Sequence, residues 1–360
     1  MSKIMLCNPQ RPKRQRYKQA TGSHRDNHVT TLPNMAPDVE RGLGHFRNML
    51  TIRAFEEAVA EARIAGKIRG SVHPYIGEEA IAVGICANLR DDDYVASYHR
   101  GHGHTIARGA DPAAMMLELH GRKGGTCGGK GGSMHVADIS RGMLGANGVI
   151  GDGVTIAVGA AQAAKLLGKE SVVVAFFGDG GLNRGPVLES LNWAKVFDLP
   201  VLFVCEDNKF AATTRTKSVT AGPGPAARAA SFGLHAETVD GNDVFAVDQV
   251  ACDMVTKIRA GAGPMFLHAI TYRIRGHLAT DPANYRQPEE VLRHALLDPI
   301  KRCEAWLQHH GIDDETIARE RTLVEDMIAA TIDAAEVAPF PDIEDFIADV
   351  QDIGAPSWPE

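Results

Sequence analysis

Two loops of the sequence carry residue types that bind a divalent cation beside a phosphate group. The run Gly178-Asp179-Gly180-Gly181 follows one apolar stretch, and Asn208 follows the next. A carboxylate and an amide oxygen are hard ligands, which favour Mg²⁺ or Ca²⁺ over zinc. Glycines permit tight turns and let backbone N–H groups approach phosphate oxygens closely. The two loops together therefore predict a site for a cation and a diphosphate.

Each half of this pattern is weak when taken alone. Asp179 without Asn208 is more typical of an aspartate that caps a helix. A second Gly-Asp-Gly run, at 151–153, has no asparagine at the matching distance. We interpret Asp152 as a loop acid or a helix N-cap, which is favourable near the start of a helix.

The elements around these loops alternate between strand and helix. Val172–Phe177 and Val201–Cys205 are apolar runs of strand length, and a helix is predicted between them at Pro186–Phe197. Such a βαβ crossover places both loops at the carboxyl edge of one parallel sheet, where ligands bind. Other predicted strands are Tyr94–Tyr98, His235–Val239 and Met265–Tyr272, and other predicted helices are Val39–Ala65, Glu78–Leu89, Pro112–Gly121, Val154–Leu167 and Val244–Arg259. The predicted fold is a doubly wound α/β fold with a mostly parallel sheet.

Length and composition bound the organisation of the chain. The chain has 360 residues, of which 44% are hydrophobic and 23% are charged, as in ordinary globular proteins. We predict a flexible basic tail at 1–38, an α/β domain at 39–298 and a helical extension with a tail at 299–360. The six cysteines show no C-x-x-C spacing, which favours reduced thiols over structural zinc.

The sequence shows no apolar stretch long enough for a membrane span and no apolar core of a secretory signal. We therefore expect a cytoplasmic protein without a membrane partner. The net charge is -7, although residues 1–30 hold seven Lys or Arg and a single acid. An acidic body argues against nucleic acid as the partner. The basic segment is typical of a flexible tail, and the alternative is an arm that docks on an acidic partner.

From about Phe46 to Arg293 the sequence resembles the alpha subunits of the thiamine diphosphate-dependent first component of 2-oxo acid and acetoin dehydrogenase complexes. The resemblance rests on ordered motifs in addition to the Gly-Asp-Gly and Glu-Asp-Asn runs. They are G-S-V-H-P-Y-I-G-E-E-A at 70–80, S-Y-H-R-G-H-G-H at 97–104, G-R-K-G-G at 121–125, G-K-G-G-S-M-H at 129–135, G-A-N-G at 145–148 and Y-R-I-R-G-H-L-A-T-D-P at 272–282.

The resemblance implies a role for individual residues. Mg²⁺ is expected on Asp179, Asn208 and the backbone carbonyl of Phe210, a position where the family usually has tyrosine. Arg100 is expected to pair with the diphosphate, because a guanidinium fork matches phosphate oxygens. The other residues expected to contact thiamine diphosphate are His99, Gly148, Ile150, Gly178, Gly180, Gly181 and His277.

Two histidines match active-site histidines of the family. His73 and His277 are expected to handle protons or to stabilise negative charge on the substrate, because imidazole suits both tasks near neutral pH. A purely structural role is the alternative for each. For His102 and His104 the sequence leaves catalysis and packing equally open.

The resemblance also implies partners. A separate beta chain is expected to supply the glutamate that activates the cofactor, in an α2β2 heterotetramer, and an acyltransferase is expected to present the lipoyl group. The substrate stays open between acetoin, pyruvate and another small 2-oxo acid. A split transketolase-like subunit and a non-catalytic scaffold subunit are the alternative functions.

Three features depart from the pattern of pyruvate-type relatives. Leu278 stands where those relatives often carry a serine, and Arg184 adds a positive charge beside the predicted metal loop. Residues 221–229 form a loop rich in glycine, proline and alanine that is expected near the active site.

Overall fold

A six-stranded parallel sheet underlies the site in a computed structural model that describes residues 38–346. Its strand order is β2-β1-β3-β4-β8-β7, and every neighbouring pair is parallel. The strands are β1 Tyr94–Ala96, β2 Met143–Gly145, β3 Val173–Gly178, β4 Val201–Asp207, β7 His235–Asp240 and β8 Met265–Ile270, and β5 Phe210–Ala211 with β6 Thr214–Arg215 form a small antiparallel hairpin. The predicted α/β fold with a parallel sheet is confirmed.

Helices cover the sheet and extend beyond it. In the described residues the α-helices are α1 Val39–Ile64, α2 Glu79–Cys86, α3 Gly101–Ala107, α4 Pro112–Leu119, α5 Asp152–Leu166, α6 Gly185–Val196, α7 Pro225–Ser231, α8 Val244–Lys257, α9 Pro288–Ala295, α10 Pro299–His309 and α11 Asp314–Val337. Short 3₁₀ turns lie at Ser133–His135, Ile139–Arg141, Asp179–Asn183, Thr216–Ser218 and Ile343–Phe346, and a π turn follows α8 at Ile258–Ala262.

Both faces of the sheet are buried, which explains why its central strands are continuously apolar. Val174 and Phe176 point to the face covered by α2 and α8, whereas Ala175 and Phe177 point to the face covered by α5 and α6. Phe176 and Phe177 are each 1% exposed. Full burial of such a side chain stabilises the fold by about 1.5–3 kcal/mol, so this alternation fixes the sheet between its two helical layers.

The register of β3 and β4 brings the two chemistry-bearing loops together. Gly178, the last residue of β3, pairs with Glu206 near the end of β4. Asp179 and Asn208 therefore leave the same edge of the sheet from neighbouring strands. This confirms the predicted placement of both loops at the carboxyl edge of one parallel sheet.

The C-terminal helices pack on the first helix. Leu307 of α10 and Ile328 of α11 are buried in one apolar cluster with Phe46 and Met49 of α1. The Arg47 guanidinium binds the Glu320 carboxylate at 2.6 Å across the α1–α11 contact. The predicted boundary at 298/299 stays a prediction, and the predicted basic tail lies outside the described residues except for Asp38.

Sequence analysis did not predict α3, α7, α9, β2 or the β5–β6 hairpin. α3 lies in the glycine-rich and histidine-rich run at 97–104, and β2 has three residues, so neither carries a recognisable periodicity. One interpretation was wrong in detail. Asp152 is the first residue of α5 and Gly151 is its N-cap, so the acid lies in the first helical turn rather than at the cap.

The cysteines that the structure describes form no disulfide bond. Cys86, Cys127, Cys205, Cys252 and Cys303 are free, whereas Cys7 lies outside the described residues. In the part of the chain that the structure describes, no helix combines the length and apolar character that a membrane crossing needs.

Candidate active site

One cavity of about 460 Å³ lies at the carboxyl edge of the sheet. All twelve residues that sequence analysis assigned to the site line it: His73, His99, Arg100, Gly148, Ile150, Gly178, Asp179, Gly180, Gly181, Asn208, Phe210 and His277. They come from loops that are distant in sequence, and the topology brings them together. Their individual roles stay predictions.

Asp179 is buried at the entrance of the 3₁₀ turn that follows β3. Its carboxylate accepts hydrogen bonds from the Gly180 backbone N–H at 3.0 Å and from the Thr216 hydroxyl at 2.5 Å. Burial raises the pKa of Asp179 to about 7, and the neighbouring Asp207 carboxylate contributes to this rise in pKa. A bound cation favours the ionised form of such a carboxyl, so the site is suited to exchange a proton for a metal ion.

Asn208 is buried beside Asp179, and hydrogen bonds hold both the Nδ2 and the Oδ1 end of its amide. Its Nδ2 donates to the two carboxylate oxygens of Glu78 at 3.0 and 3.1 Å. Its Oδ1 accepts from the Phe210 backbone N–H at 3.3 Å. Lys209, between them, has a φ of 75°, and this left-handed residue turns the chain into the β5–β6 hairpin.

Two arginines in the cavity wall are almost fully buried. Arg100 donates to the Pro74 carbonyl at 2.7 Å and to the His277 carbonyl at 3.2 Å. Arg273 donates to the Ala212 carbonyl and the Tyr285 hydroxyl, both at 2.8 Å, and its Nε has no partner. Sequence analysis missed Arg273, although it lies within the Y-R-I-R-G-H run that carries part of the resemblance. The two guanidinium groups make this wall strongly attractive to an anion.

Three histidines form a cluster on the same wall. The ring centre of His73 lies 4.6 Å from that of His99 and 4.8 Å from that of His277. Burial, followed by the charge of Arg100, lowers the pKa of His73 to about 3, lowers that of His277 to about 4 and depresses that of His99. All three imidazoles are therefore neutral near pH 7.

The three histidines have ring nitrogens within 4.8 Å of one another, a spacing that suits a metal ion. Their surroundings do not. Arg100 Nη2 lies 3.1 Å from Nδ1 of His277, and two buried guanidinium charges adjoin the cluster. Because guanidinium groups only donate, they occupy a nitrogen lone pair and repel a cation. The cluster is therefore suited to hydrogen bonding with a substrate rather than to metal binding.

The loop that carries His277 is fixed by Asp281. The Asp281 carboxylate accepts from the backbone N–H of His277 at 2.6 Å, from that of Ala283 at 2.8 Å and from the Tyr285 hydroxyl at 2.8 Å. Gly276 packs against this turn so closely that a Cβ would lie 2.4 Å from the Asp281 carbonyl oxygen. The sequence of this loop thus determines where the imidazole sits.

His102 and His104 lie behind the cavity and do not line it. His102 bridges the Glu56 carboxylate at 3.0 Å and the Ser133 carbonyl at 3.1 Å. His104 lies 2.9 Å from the Ser97 hydroxyl and 3.1 Å from the Glu206 carboxylate. Both are fully buried, so the geometry favours packing over catalysis for each.

The three features that depart from pyruvate-type relatives differ in whether they line the cavity. Arg184 lines the cavity, which adds a third arginine to its lining, whereas Leu278 is absent from it. The predicted loop at 221–229 is a loop only as far as Gly224, because Pro225 begins α7. Gly222, Pro223, Gly224 and Pro225 line a neighbouring cavity of about 330 Å³, which shares Asp179 with the first. The loop therefore reaches the back of the predicted cation site.

The sheet topology and this cavity are those of a ligand-binding α/β protein, and comparison with known families defines its class. Residues 47–344 match the family described as the dehydrogenase E1 component. The chain belongs to this family, which confirms the resemblance noted in the sequence.

Individual relatives are similar over most of their length. The chain is 46% identical to the alpha subunit of acetoin:2,6-dichlorophenolindophenol oxidoreductase of Cupriavidus necator, over 87% of this chain and 95% of that protein. It is 42% identical to the protein of the same name from Bacillus subtilis, over 86% and 93%. It is 39% identical to the pyruvate dehydrogenase E1 component subunit alpha of Rhizobium meliloti, over 86% and 90%.

Proposed function

We propose that this chain is the alpha subunit of a thiamine diphosphate- and Mg²⁺-dependent dehydrogenase component. It cleaves acetoin or decarboxylates pyruvate and passes the acetyl group to the lipoyl group of a partner acyltransferase. The observation that carries the proposal is the composition of the cavity. The oxygen-bearing side chains of Asp179 and Asn208 meet there with two buried arginines and three neutral histidines. The relatives named for acetoin and for pyruvate support the same substrate pair.

The residues present fit thiamine diphosphate and its cation. Three buried polar atoms of the cavity lining have no hydrogen-bond partner: Nδ1 of His73, Nδ1 of His99 and Nε of Arg273. At Gly180 a Cβ would lie 2.6 Å from the Cβ of Ala211, so only glycine leaves this wall open. An unpaired guanidinium N–H group, that of Arg273, and a glycine-lined wall are what a diphosphate needs.

The chain would hold the two groups through separate residues. Asp179, the Asn208 amide oxygen and the Phe210 carbonyl would bind Mg²⁺, while Arg100 and Arg273 would bind the diphosphate. When bound, thiamine diphosphate supplies a carbon nucleophile and an electron sink for cleavage of the C–C bond beside a carbonyl. The remaining tasks, which are to orient the substrate, exclude water and hold protons, belong to the protein.

His277 is suited to hold a proton at a defined atom. Because Arg100 can only donate to Nδ1, this nitrogen keeps its lone pair and the proton of the neutral ring lies on Nε2. The Nε2–H group would donate to the substrate oxygen as negative charge develops there, which stabilises that charge in a site of low polarity. His73 and His99 lie within ring contact of His277 and shape the same pocket.

The cavity lacks one group that the proposed chemistry needs. Among the described residues that line it, Asp179 is the sole carboxylate, and we assign it to the cation. The glutamate expected to activate the cofactor must then come from a beta chain, in the α2β2 assembly that the sequence predicts. α5 and α6, which pack together beside the site, expose the large apolar side chains of Ile156, Leu166, Trp193 and Val196, and Phe197, directly after α6, is exposed as well. Such faces mark subunit contacts.

The test is a reconstitution of activity. The chain is coexpressed with a beta subunit, supplied with thiamine diphosphate and Mg²⁺, and assayed for reduction of 2,6-dichlorophenolindophenol with acetoin, pyruvate and a branched 2-oxo acid. We expect turnover with acetoin or pyruvate that requires both the cofactor and the beta subunit. Transfer of the two-carbon unit to an aldose supplied in a parallel assay would instead establish the transketolase-like alternative, and an assembled but inactive complex would favour the scaffold.

A further inference from the structure

A buried carboxylate lies between the two halves of the proposed cofactor site. Glu78 is fully buried and does not line the cavity. Its two oxygens accept from Nδ2 of Asn208, at 3.0 and 3.1 Å, and one of them lies 4.0 Å from Nε of Arg100. Glu78 therefore adjoins both a proposed cation ligand and a proposed diphosphate ligand from behind the cavity wall.

The contact decides which end of the Asn208 amide faces the cavity. An amide has a donor end and an acceptor end, and which of them faces a neighbour follows from the hydrogen-bond network. In either protonation state Glu78 keeps an acceptor oxygen, so the NH₂ group is drawn toward it. The Oδ1 atom then lies on the opposite side, where Phe210 donates to it at 3.3 Å. Without this anchor the amide is free to rotate by 180° and to present NH₂, which repels a cation.

We propose that Glu78 is a positioning residue for the cation site, which acts by turning the amide oxygen of Asn208 toward the metal. The proposal rests on the function proposed above, since that function supplies the cation. Residues that orient metal ligands typically change metal affinity by about 10–100-fold when they are replaced. Glu78 occupies the N-cap of α2, but its side chain makes no capping hydrogen bond, so helix capping does not account for this acid.

The adjacent residue provides a matched control. Glu79 is just as buried, but its carboxylate binds the Arg53 guanidinium at 2.6 Å and the Gly77 backbone N–H at 2.9 Å. It is absent from the cavity lining, and its bonds lead away from Asn208. Replacement of Glu79 by Gln therefore perturbs a buried acid of the same segment while it leaves the proposed orientation of Asn208 intact.

The experiment removes the anchor and, separately, the need for it. Glu78→Leu takes away both acceptor oxygens, whereas Glu78→Gln keeps one. Asn208→Asp presents an oxygen to the cation whichever way its carboxylate is turned, so cation binding in that background no longer depends on position 78. Binding of Mn²⁺ to the complex of this chain with its beta subunit, with thiamine diphosphate present, is followed by electron paramagnetic resonance, and thiamine diphosphate alone gives the background.

We expect Glu78→Leu to bind Mn²⁺ at least about tenfold more weakly than the natural protein. Glu78→Gln and Glu79→Gln should each stay within about threefold of the natural protein, because both leave an acceptor for the Asn208 amide. In the Asn208→Asp background Glu78→Leu should cost much less than tenfold, and this dependence on residue 208 is the result that a merely structural role for Glu78 does not produce.

Two other results would separate this proposal from the function on which it rests. No cofactor-dependent Mn²⁺ binding by the natural complex overturns the proposed function itself. Strong binding by the natural complex with unchanged affinity in Glu78→Leu overturns the role of Glu78 alone. If circular dichroism shows that Glu78→Leu does not fold, Glu78→Ala decides: a loss of about tenfold supports the proposal and an unchanged affinity refutes it.

Discussion

The Arg100 guanidinium lies 3.1 Å from Nδ1 of His277, and this contact fixes where the imidazole carries its proton. A second guanidinium, that of Arg273, lies 3.5 Å from the same nitrogen. Both groups can only donate, so Nδ1 accepts and Nε2 keeps the hydrogen. In this chain an arginine beside the proposed diphosphate position thus also sets the tautomer of the proposed catalytic histidine.

The tautomer predicts a difference between two substitutions of His277. His277→Gln places an NH₂ group near the position of Nε2, whereas the shorter His277→Asn reaches only the position of Nδ1. Loss of one such donor lowers turnover by about 10²–10³-fold. We therefore expect His277→Asn to lose at least this much kcat and His277→Gln to retain about tenfold more. Steady-state dye reduction measures both, and equal losses would contradict the assigned tautomer.

The buried histidines predict a loss of stability in acid. The pKa of His73 is lowered to about 3 in the folded chain, so between that value and about 6.5 the unfolded chain binds the extra proton. Unfolded protein is favoured as the pH falls through this window, and at pH 5 His73 contributes about 2 kcal/mol of this effect.

Urea unfolding of the full chain at pH 7 and pH 5 measures it. The urea midpoint should be lower at pH 5 than at pH 7 in the natural chain, and this decrease should be smaller in His73→Gln. His235, which lies on the surface, provides the control: His235→Gln should show the same decrease as the natural chain. A His73→Gln variant whose midpoint decreases as much as that of the natural chain would contradict the prediction.

The sequence could predict those site residues whose type alone, such as a carboxylate or an amide directly after a strand, indicates their chemistry. Asp179 and Asn208 follow apolar strands, so their placement follows from the topology of a parallel sheet. Arg273 and Glu78 were missed for a physical reason. An arginine in a loop and an acid at a helix start are common on surfaces, and only the packing of distant segments around them reveals their burial.

The fold shows the same division. Long apolar or amphipathic runs such as α1 and β4 were predicted to within two residues at each end, because burial on the sheet or in the core imposes their periodicity. The α3 helix begins at Gly101 in a run of glycine and histidine whose intrinsic preference is not helical. Its formation depends on tertiary contacts, including those of His102 and His104.

The raised pKa of Asp179 predicts that its carboxyl group lowers the stability of the cation-free chain, although the same group is proposed to bind the cation. Its pKa is raised to about 7 in the folded chain, so the ionised form is disfavoured by folding and stability falls as the pH rises from about 4 to 7. Above pH 7 Asp179→Asn should therefore stabilise the cation-free chain, by on the order of 3 kcal/mol. The same variant should lose the response to the cofactor.

Thermal denaturation at pH 8 tests both effects. Mg²⁺ with thiamine diphosphate should raise the melting temperature of the natural chain and leave that of Asp179→Asn unchanged. Asp152→Asn is the matched control, because Asp152 occupies the second Gly-Asp-Gly run but does not line the cavity. It should respond to the cofactor as the natural chain does. A cofactor response in Asp179→Asn would exclude Asp179 as a ligand.

The Glu118 carboxylate holds the glycine-rich loop at 127–132 beside the site. It is fully buried and accepts backbone N–H bonds from Cys127, Gly129, Gly131 and Gly132, at 2.7–3.0 Å. This loop leads directly into Met134, which lines the cavity. In Glu118→Gln one acceptor oxygen becomes an NH₂ group that faces backbone donors, and lost hydrogen bonds to a charged acceptor cost about 1.5–3 kcal/mol each.

We expect Glu118→Gln to lower the free energy of unfolding by about 3 kcal/mol and to weaken thiamine diphosphate binding in the protein that still folds. Urea denaturation gives the first quantity and cofactor-dependent fluorescence quenching the second. Glu61→Gln, on the exposed face of α1, should change neither. Because the four bonded groups precede the cavity residue by only a few positions, a destabilised Glu118→Gln variant with natural cofactor affinity would show that the loop does not shape the site.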